Sequence, residues 1–212
     1  MDPSFDRLAA ACVQLGVTLT EDRYQVLCRY AALTREYNSR VNLVSRRDVD
    51  RIITYHVVDS LAAAQLIPEQ ALCCDIGTGA GLPGIPLAIV RPDIRMVLVE
   101  SIQKKCRFLV RTIEELGLVQ TEMICGRAES LAPLGCAVVL SRLTGPTPRT
   151  LAAIAHHAQL TGIVVLYKNP AGTDPPASLL ARHGLTLERR LDLVLPLSSV
   201  PRRLLVLRRS AQ

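Results

Sequence analysis

The sequence predicts an α/β protein, a Rossmann-like fold with a mostly parallel seven-stranded sheet behind a helical N-terminal cap. Three observations predict it. Helical periodicity marks residues 1–68, short apolar runs alternate with helical stretches from residue 69 onward, and a glycine-rich turn follows the first of those runs.

Thr20 before Glu21 and Asp22 forms a helix start, and Leu27, Tyr30, Ala31, Thr34 and Tyr37 then recur at helical spacing. Asp48 is expected to cap a second helix whose inward side carries Ile52, Ile53, His56, Val57, Ser60, Leu61 and Ala64, ending at Pro68. The runs 71–76, 96–99, 121–125, 137–140 and 163–167 are too short for helices and read as buried strands. Between them, 104–116 places Phe108, Leu109, Ile113 and Leu116 on one face and stops at Gly117, and a further helix is expected over about 148–160. Residues 168–176 form a turn-rich loop, and two final strands near 186–194 and 203–207 are expected to pair antiparallel at one edge. One compact unit results, with a helical cap over 1–68 and the sheet-bearing domain over 69–212.

Hydrophobic residues make up 49% and charged residues 21% of the 212, a globular balance, and no apolar run approaches the roughly 20 residues a membrane span needs. The N-terminus lacks a basic segment followed by an apolar one, so a cytoplasmic protein is expected. Seven cysteines without C-x-x-C spacing indicate neither a disulfide framework nor a metal site, and are expected to be reduced core residues. The net charge is +6, and its excess is local. Eight arginines are balanced by eight acids up to residue 60, whereas Arg189, Arg190, Arg202, Arg203, Arg208 and Arg209 outnumber Glu188 and Asp192. Such a patch suits a phosphate backbone, with Arg202 and Arg203 as RNA contacts; a solvated edge strand guarded by charge is the alternative.

In an open parallel sheet, ligands bind beyond the carboxyl ends of the strands where strand order reverses, usually after the first strand. Asp75-Ile76-Gly77-Thr78-Gly79-Ala80-Gly81-Leu82-Pro83-Gly84 falls there. Gly77, Gly79 and Gly81 permit a tight turn and close approach of a ligand to the backbone, and Pro83 suits the first turn of the next helix. Gly79 to Gly84 also fits G-x-G-x-x-G, so a nicotinamide dinucleotide site stays open. Asp75, two residues before Gly77, favours S-adenosylmethionine, because a carboxylate there can meet the ammonium of a methionine. Glu100, 23 positions past Gly77, can accept two ribose hydroxyls in either case. Either acid could instead cap a helix. Arg127-Ala128-Glu129 follows the third strand, where residues border an adenine, or could form an exposed ion pair.

The chain resembles the RsmG family, also called GidB, bacterial methyltransferases of small-subunit ribosomal RNA. The resemblance runs from about residue 20 to 207. It is carried by Tyr37-Asn38 with Asn42-Leu43, His56-Val57-Val58-Asp59-Ser60, the whole of 75–89, Arg91-Pro92, Lys104 with Arg107-Phe108-Leu109, Arg127-Ala128-Glu129 and Ser141-Arg142. It implies a class I S-adenosylmethionine-dependent methyltransferase that modifies N7 of a guanine in the decoding region of 16S rRNA, in or near an assembled small subunit. It also implies cofactor contacts at Gly77, Leu82, Ala128, Glu129 and Arg142, with Glu100 as the ribose acid. Lys104, Arg127, Arg142 and Lys168 are expected to face the rRNA, with Arg142 and Lys168 positioning the target.

The chemistry fits what the sequence lacks. Guanine N7 is an unprotonated lone pair on the major-groove edge, so its methylation requires no general base. The (Asn/Asp)-Pro-Pro-aromatic motif of exocyclic-amine methyltransferases is replaced after the fourth strand by Ser141-Arg142-Leu143-Thr144, and Cys136 follows Gly135 rather than the proline expected for cytosine-carbon chemistry. The chain departs from the family at Tyr55, Leu143–Pro146, Asn169 and Arg203, all on the presumed substrate side. A methyltransferase of the same fold acting on another RNA or a small molecule, and a non-catalytic RNA-binding relative, therefore stand beside the leading expectation; a dehydrogenase comes fourth. His56 is expected to be satisfied by Asp59 or a backbone group. A monomer without metal is expected, since no long apolar face is left unassigned.

Overall fold

The computed structural model describes residues 2–142 and 148–210, without the Arg149 side chain. Leu143–Pro146, a departure from the family, lies outside the described residues.

Two helices open the chain, α1 (Phe5–Gln14) and α2 (Glu21–Asn38). The Thr20 hydroxyl accepts from the Arg23 N–H at 3.4 Å, so α2 starts where the sequence predicts. The second expected helix is broken. A 3₁₀ turn (Val49–Arg51) passes into a π-helical turn (Ile52–Val57), then α3 (Val58–Leu61) and another 3₁₀ turn (Ala64–Leu66). Asp48 makes no cap; its carboxylate accepts from the Ser45 hydroxyl at 2.5 Å. A π turn takes in one extra residue, which apolar periodicity at 3.6 does not register.

The sheet follows: β1 (Leu72–Ile76), α4 (Gly84–Val90), β2 (Arg95–Glu100), α5 (Gln103–Glu115), β3 (Thr121–Cys125), β4 (Cys136–Ser141), α6 (Pro148–His157), β5 (Ala158–Lys168), α7 (Ala177–Ala181), β6 (Leu185–Val194) and β7 (Pro201–Arg209). Strand order is β3-β2-β1-β4-β5-β7-β6. The first five strands are parallel, and β7 runs antiparallel to both β5 and β6, as expected for the final pair. The chain goes outward from β1 to β3 and returns to the other side of β1 as β4, so order reverses between β1 and β4. Strand β5 starts at Ala158, earlier than its apolar run, because Ala158 pairs with Cys136 before a bulge.

One apolar cluster joins Leu8, Leu27 and Ile53 of the helical segment to Leu87 of α4 and to Met96, Val138 and Val206 of the sheet. The helices therefore cover one face of the sheet. Cys106 in the first turn of α5 and Cys125 at the end of β3 are disulfide-bonded, with Cα atoms 5.8 Å apart. The expectation of seven reduced cysteines is corrected at these two: parallel pairing of β2 and β3 brings the end of β3 beside the start of α5, a proximity that their spacing of 19 does not announce. No described helix is long and apolar enough to cross a membrane.

Candidate active site

The site is built at the β1/β4 reversal. Beyond Ile76 the backbone is left-handed at Gly77, Gly79 and Gly81, with φ of 71°, 63° and 93°. At two positions a side chain would force its neighbours to shift. A Cβ at Gly81 would lie 2.4 Å from Ile85 Cδ1, and one at Gly84 would lie 2.3 Å from Leu98 Cδ2. Pro83 precedes α4 instead of entering its first turn.

Asp75 is fully buried and holds this loop from beneath. Its Oδ2 accepts the Thr78 hydroxyl at 2.6 Å and the Gly84 N–H at 2.9 Å, so it does tether the start of α4. Its Oδ1 is buried and has no hydrogen-bond partner among the described residues. Burial pushes this carboxyl up to about 6. From the helical segment, the buried Tyr30 hydroxyl donates to the Ala80 carbonyl at 2.9 Å, a support that helical spacing alone does not announce. Glu100 closes β2, accepting N–H groups of Gly79 at 3.0 Å, Ser101 at 2.8 Å and Ile102 at 2.9 Å.

Gly77, Glu100, Arg127, Ala128 and Glu129 line a single cleft, with Ser101 and Ala153 of α6. Ala128 is fixed by His157 of α6, whose Nε2 donates to its carbonyl at 3.0 Å. His157 was not singled out from sequence. Its signal, a histidine ending an apolar helix, is shared by many core residues. Gly79, Gly81, Leu82 and Asp75 form the loop behind the cleft and do not line it.

Arg142 follows β4, whose register pairs Asp75 with Leu140, so it stands level with Gly77. Its Nη2 meets Asp59 Oδ2 at 3.0 Å and donates to His56 Nδ1 at 3.3 Å, while its buried Nη1 has no hydrogen-bond partner among the described residues. Asp59 is wholly buried and also receives the Arg202 fork, Nε at 2.6 Å and Nη2 at 3.0 Å. Arg202 in turn donates to the Lys168 carbonyl at 3.3 Å and to the Tyr55 hydroxyl at 3.4 Å. The expected partner of His56 is thus corrected. Asp59 is taken by two guanidiniums, and His56 has Arg142 on Nδ1 and Asp48 3.9 Å from Nε2. Burial, reinforced by Arg142, pulls His56 down to about 4, so the ring is neutral near pH 7.

Of the remaining basic residues, Lys104 is exposed in the first turn of α5, Arg127 is exposed at the cleft and Lys168 is half-buried at the end of β5. Arg203 is paired with Asp192 at 2.7 Å and Asp174 at 3.6 Å. Neither Arg202 nor Arg203 offers an unpaired guanidinium.

A nucleoside cleft beside Glu100, joined to a glycine loop flanked by an orphaned acceptor on Asp75 and an orphaned donor on Arg142, complements adenosine attached to an amino-acid zwitterion. Fold and site together define a class I S-adenosylmethionine-dependent methyltransferase. The fold is shared with the Burkholderia thailandensis 1,6-didemethyltoxoflavin-N1-methyltransferase solved with S-adenosylhomocysteine, at a TM-score of 0.59 and 14% identity over 87% of this chain and 91% of that one. It is shared too with M. jannaschii TYW2 in complex with AdoMet, at 0.56 and 13% over 72% and 74%. At such identities the likeness concerns the fold alone.

The model of the family rRNA small subunit methyltransferase G, or GidB, matches residues 23–175, and the chain belongs to this family. The relative of that name from Nitrosospira multiformis is 34% identical over the whole of both chains. The one from Paracoccus denitrificans is 33% identical over 75% of this chain and 94% of its own. With the Laribacter hongkongensis relative, identity is 39% over 60% of this chain, and the match spans 61% of that relative.

Proposed function

We propose that this protein methylates N7 of a guanine in small-subunit (16S) rRNA, as a cytoplasmic monomer acting on the rRNA or the assembled subunit. The cofactor supplies an electrophilic sulfonium methyl group. The observation that carries the proposal is the group set beyond β4: a guanidinium fixed by Asp59, with the nearby histidine buried, neutral and already accepting from it. That edge is built to orient and to balance charge rather than to remove a proton, which suits a nucleophile whose lone pair is free. Gly77, Ala128 and Glu129, with Glu100, would hold the nucleoside. Asp75 and Arg142 would take the ammonium and the carboxylate. Lys168 and Arg127, at the rim, would steady the RNA. Alignment of nucleophile and methyl is worth roughly 7–11 kcal/mol when the reacting atoms are held in line.

Incubating the purified protein with labelled S-adenosylmethionine and small subunits lacking the modification should yield N7-methylguanosine by mass spectrometry of digested rRNA. Labelling of tRNA or protein in preference to small subunits would refute the proposal.

A further inference from the structure

Five of the six arginines that the sequence concentrates near the C-terminus are already engaged, and Arg189 approaches Glu188 at 3.9 Å. Arg190 meets Asp174 at 2.5 Å, Arg208 meets Glu188 at 2.6 Å, Arg203 meets Asp192 at 2.7 Å, and Arg202 closes on Asp59. Arg209 donates to carbonyls of Ala155 and His156. A phosphate docking on this β6–β7 ribbon would have to displace carboxylates from most of its cations.

Unpaired cations gather elsewhere. Among the described residues, Arg40, Arg46, Arg47, Lys104, Lys105 and Arg107 make no ion pair, and all but Lys105 are exposed. Arg7, Arg23, Arg127 and Lys168 make no ion pair either, but they lie on α1, in the first turn of α2, at the cleft and at the end of β5.

Arg40 is tied to α5 by ring contacts, and Arg46 and Arg47 follow it along one loop. The Arg40 guanidinium is over the Tyr37 ring at 5.9 Å, and Arg111 of α5 is over the same ring at 5.2 Å. Tyr37 also packs on Phe108 at 5.4 Å, so Arg40 stands beside the middle of α5. Lys104, Arg107 and Arg111 recur along α5 at helical spacing and share a face. From Arg40 the loop 39–48 is shaped by Asn38, whose side-chain oxygen accepts the N–H groups of Leu43 and Val44, each at 2.9 Å. Leu43 and Val44 are buried, while Arg46 and Arg47 are exposed. Asp48, the acid beside them, is committed to Ser45 and Arg51 and approaches His56, the partner of Arg142. The loop thus leads from α5 to the substrate side of the site.

We infer that this ridge, loop 39–48 with the first two turns of α5, is the surface that takes the RNA phosphate backbone, and that the arginine-rich β6–β7 ribbon is not. The inference rests on the rRNA reading above. It goes beyond Lys104 by assigning the contact to Arg40, Arg46, Arg47 and Arg107.

The test is filter binding of an in vitro 16S rRNA transcript to the full chain over roughly 50–200 mM KCl, where each phosphate contact contributes about 0.7–0.9 to the slope of log affinity against log salt. R46Q/R47Q and K104Q/R107Q should each flatten the slope by about 1.4–1.8. R189Q/R190Q should leave it unchanged, and all three should bind S-adenosylmethionine like the parent. If the ribbon variant flattens the slope and the other two do not, or none does, the ridge is wrong while the rRNA reading stands. If the parent binds neither the transcript nor isolated small subunits, the rRNA reading falls and the ridge falls with it.

Discussion

Asp59 is the residue whose loss should be felt most widely. It is fully buried and carries one negative charge between two guanidiniums whose side chains are only 19% and 12% exposed. Asp59→Ala leaves two cations facing each other in a space that water enters poorly. Removing one partner of such a buried pair costs about 3–5 kcal/mol. For a chain of this length each kcal/mol moves Tm by about 2–4 °C, so a fall of about 6–20 °C is expected by scanning fluorimetry. Calorimetry should also show at least about tenfold weaker binding of S-adenosylmethionine, because Arg142 loses its anchor beside Gly77 and a hydrogen bond to a charged group is worth about 1.5–3 kcal/mol. Asp192→Ala is the control. It removes another carboxylate facing β7, but from a pair whose acid is 52% exposed, and pairs of that kind contribute about 0–1 kcal/mol. A Tm for Asp59→Ala within about 2 °C of the parent, or no further from it than the control, would refute the clamp.

Asp75 and His56 should oppose each other in acid. Asp75 sits near 6 against an ordinary 3.8, so the folded chain holds a proton that the unfolded chain has released, and stability declines as pH rises from about 4 to 6. His56 sits near 4 against 6.5, so the unfolded chain takes a proton that the folded chain refuses, and stability declines as pH falls from about 6.5 to 4. Each is worth about 3 kcal/mol across its window; in urea titrations, Asp75→Asn should steepen the acid-side loss and His56→Gln should flatten it. If Asp75 Oδ1 receives the cofactor's ammonium, binding near pH 6 should release about half a proton, read by calorimetry in two buffers of different ionisation heat; zero release would leave Asp75 as a loop tether only. Gly84→Ala places a methyl 2.3 Å from Leu98 Cδ2 and 3.1 Å from Asp75 Oδ2, and should cost about 1–3 kcal/mol of stability by denaturant titration. Gly79→Ala meets nothing nearer than the Gly77 carbonyl oxygen at 4.0 Å, but it puts an L side chain at a φ of 63°, a left-handed backbone that costs about 1–2 kcal/mol, so Tm should fall by about 2–8 °C without any clash.

The parts of this molecule that were legible in the sequence are those in which chemistry and local backbone coincide. The glycines of 77–84 had to lie after a strand, Thr20 had to start a helix, and short apolar runs flanked by helices had to stack as parallel strands. Each depends on neighbours along the chain. What escaped depends on neighbours across it. The interruption of 49–66 by a π turn leaves its apolar spacing nearly intact, so a single helix was the natural reading, yet the extra residue changes how His56 and Asp59 are presented to the ends of β4 and β7. Cys106 and Cys125 meet because β2 and β3 are parallel neighbours. Asp59 and Arg202 are 143 positions apart and nothing local in either segment names the other.

The same distinction governs charge. Counting arginines along the chain pointed to the C-terminal ribbon, where formal excess is greatest. What an anion meets, however, is charge left over after the fold has paired what it can, and an antiparallel ribbon pairs efficiently because cross-strand neighbours such as Arg203 and Asp192 face each other in register. A loop pinned by Asn38 and the outer face of a single helix have no such facing strand. The acids nearest them are taken by other partners, Asp48 by Ser45 and Arg51 and Glu115 by Arg29 and Arg111. Loop 39–48, in a region of balanced composition, is therefore a stronger electrostatic feature than the ribbon whose composition is most basic.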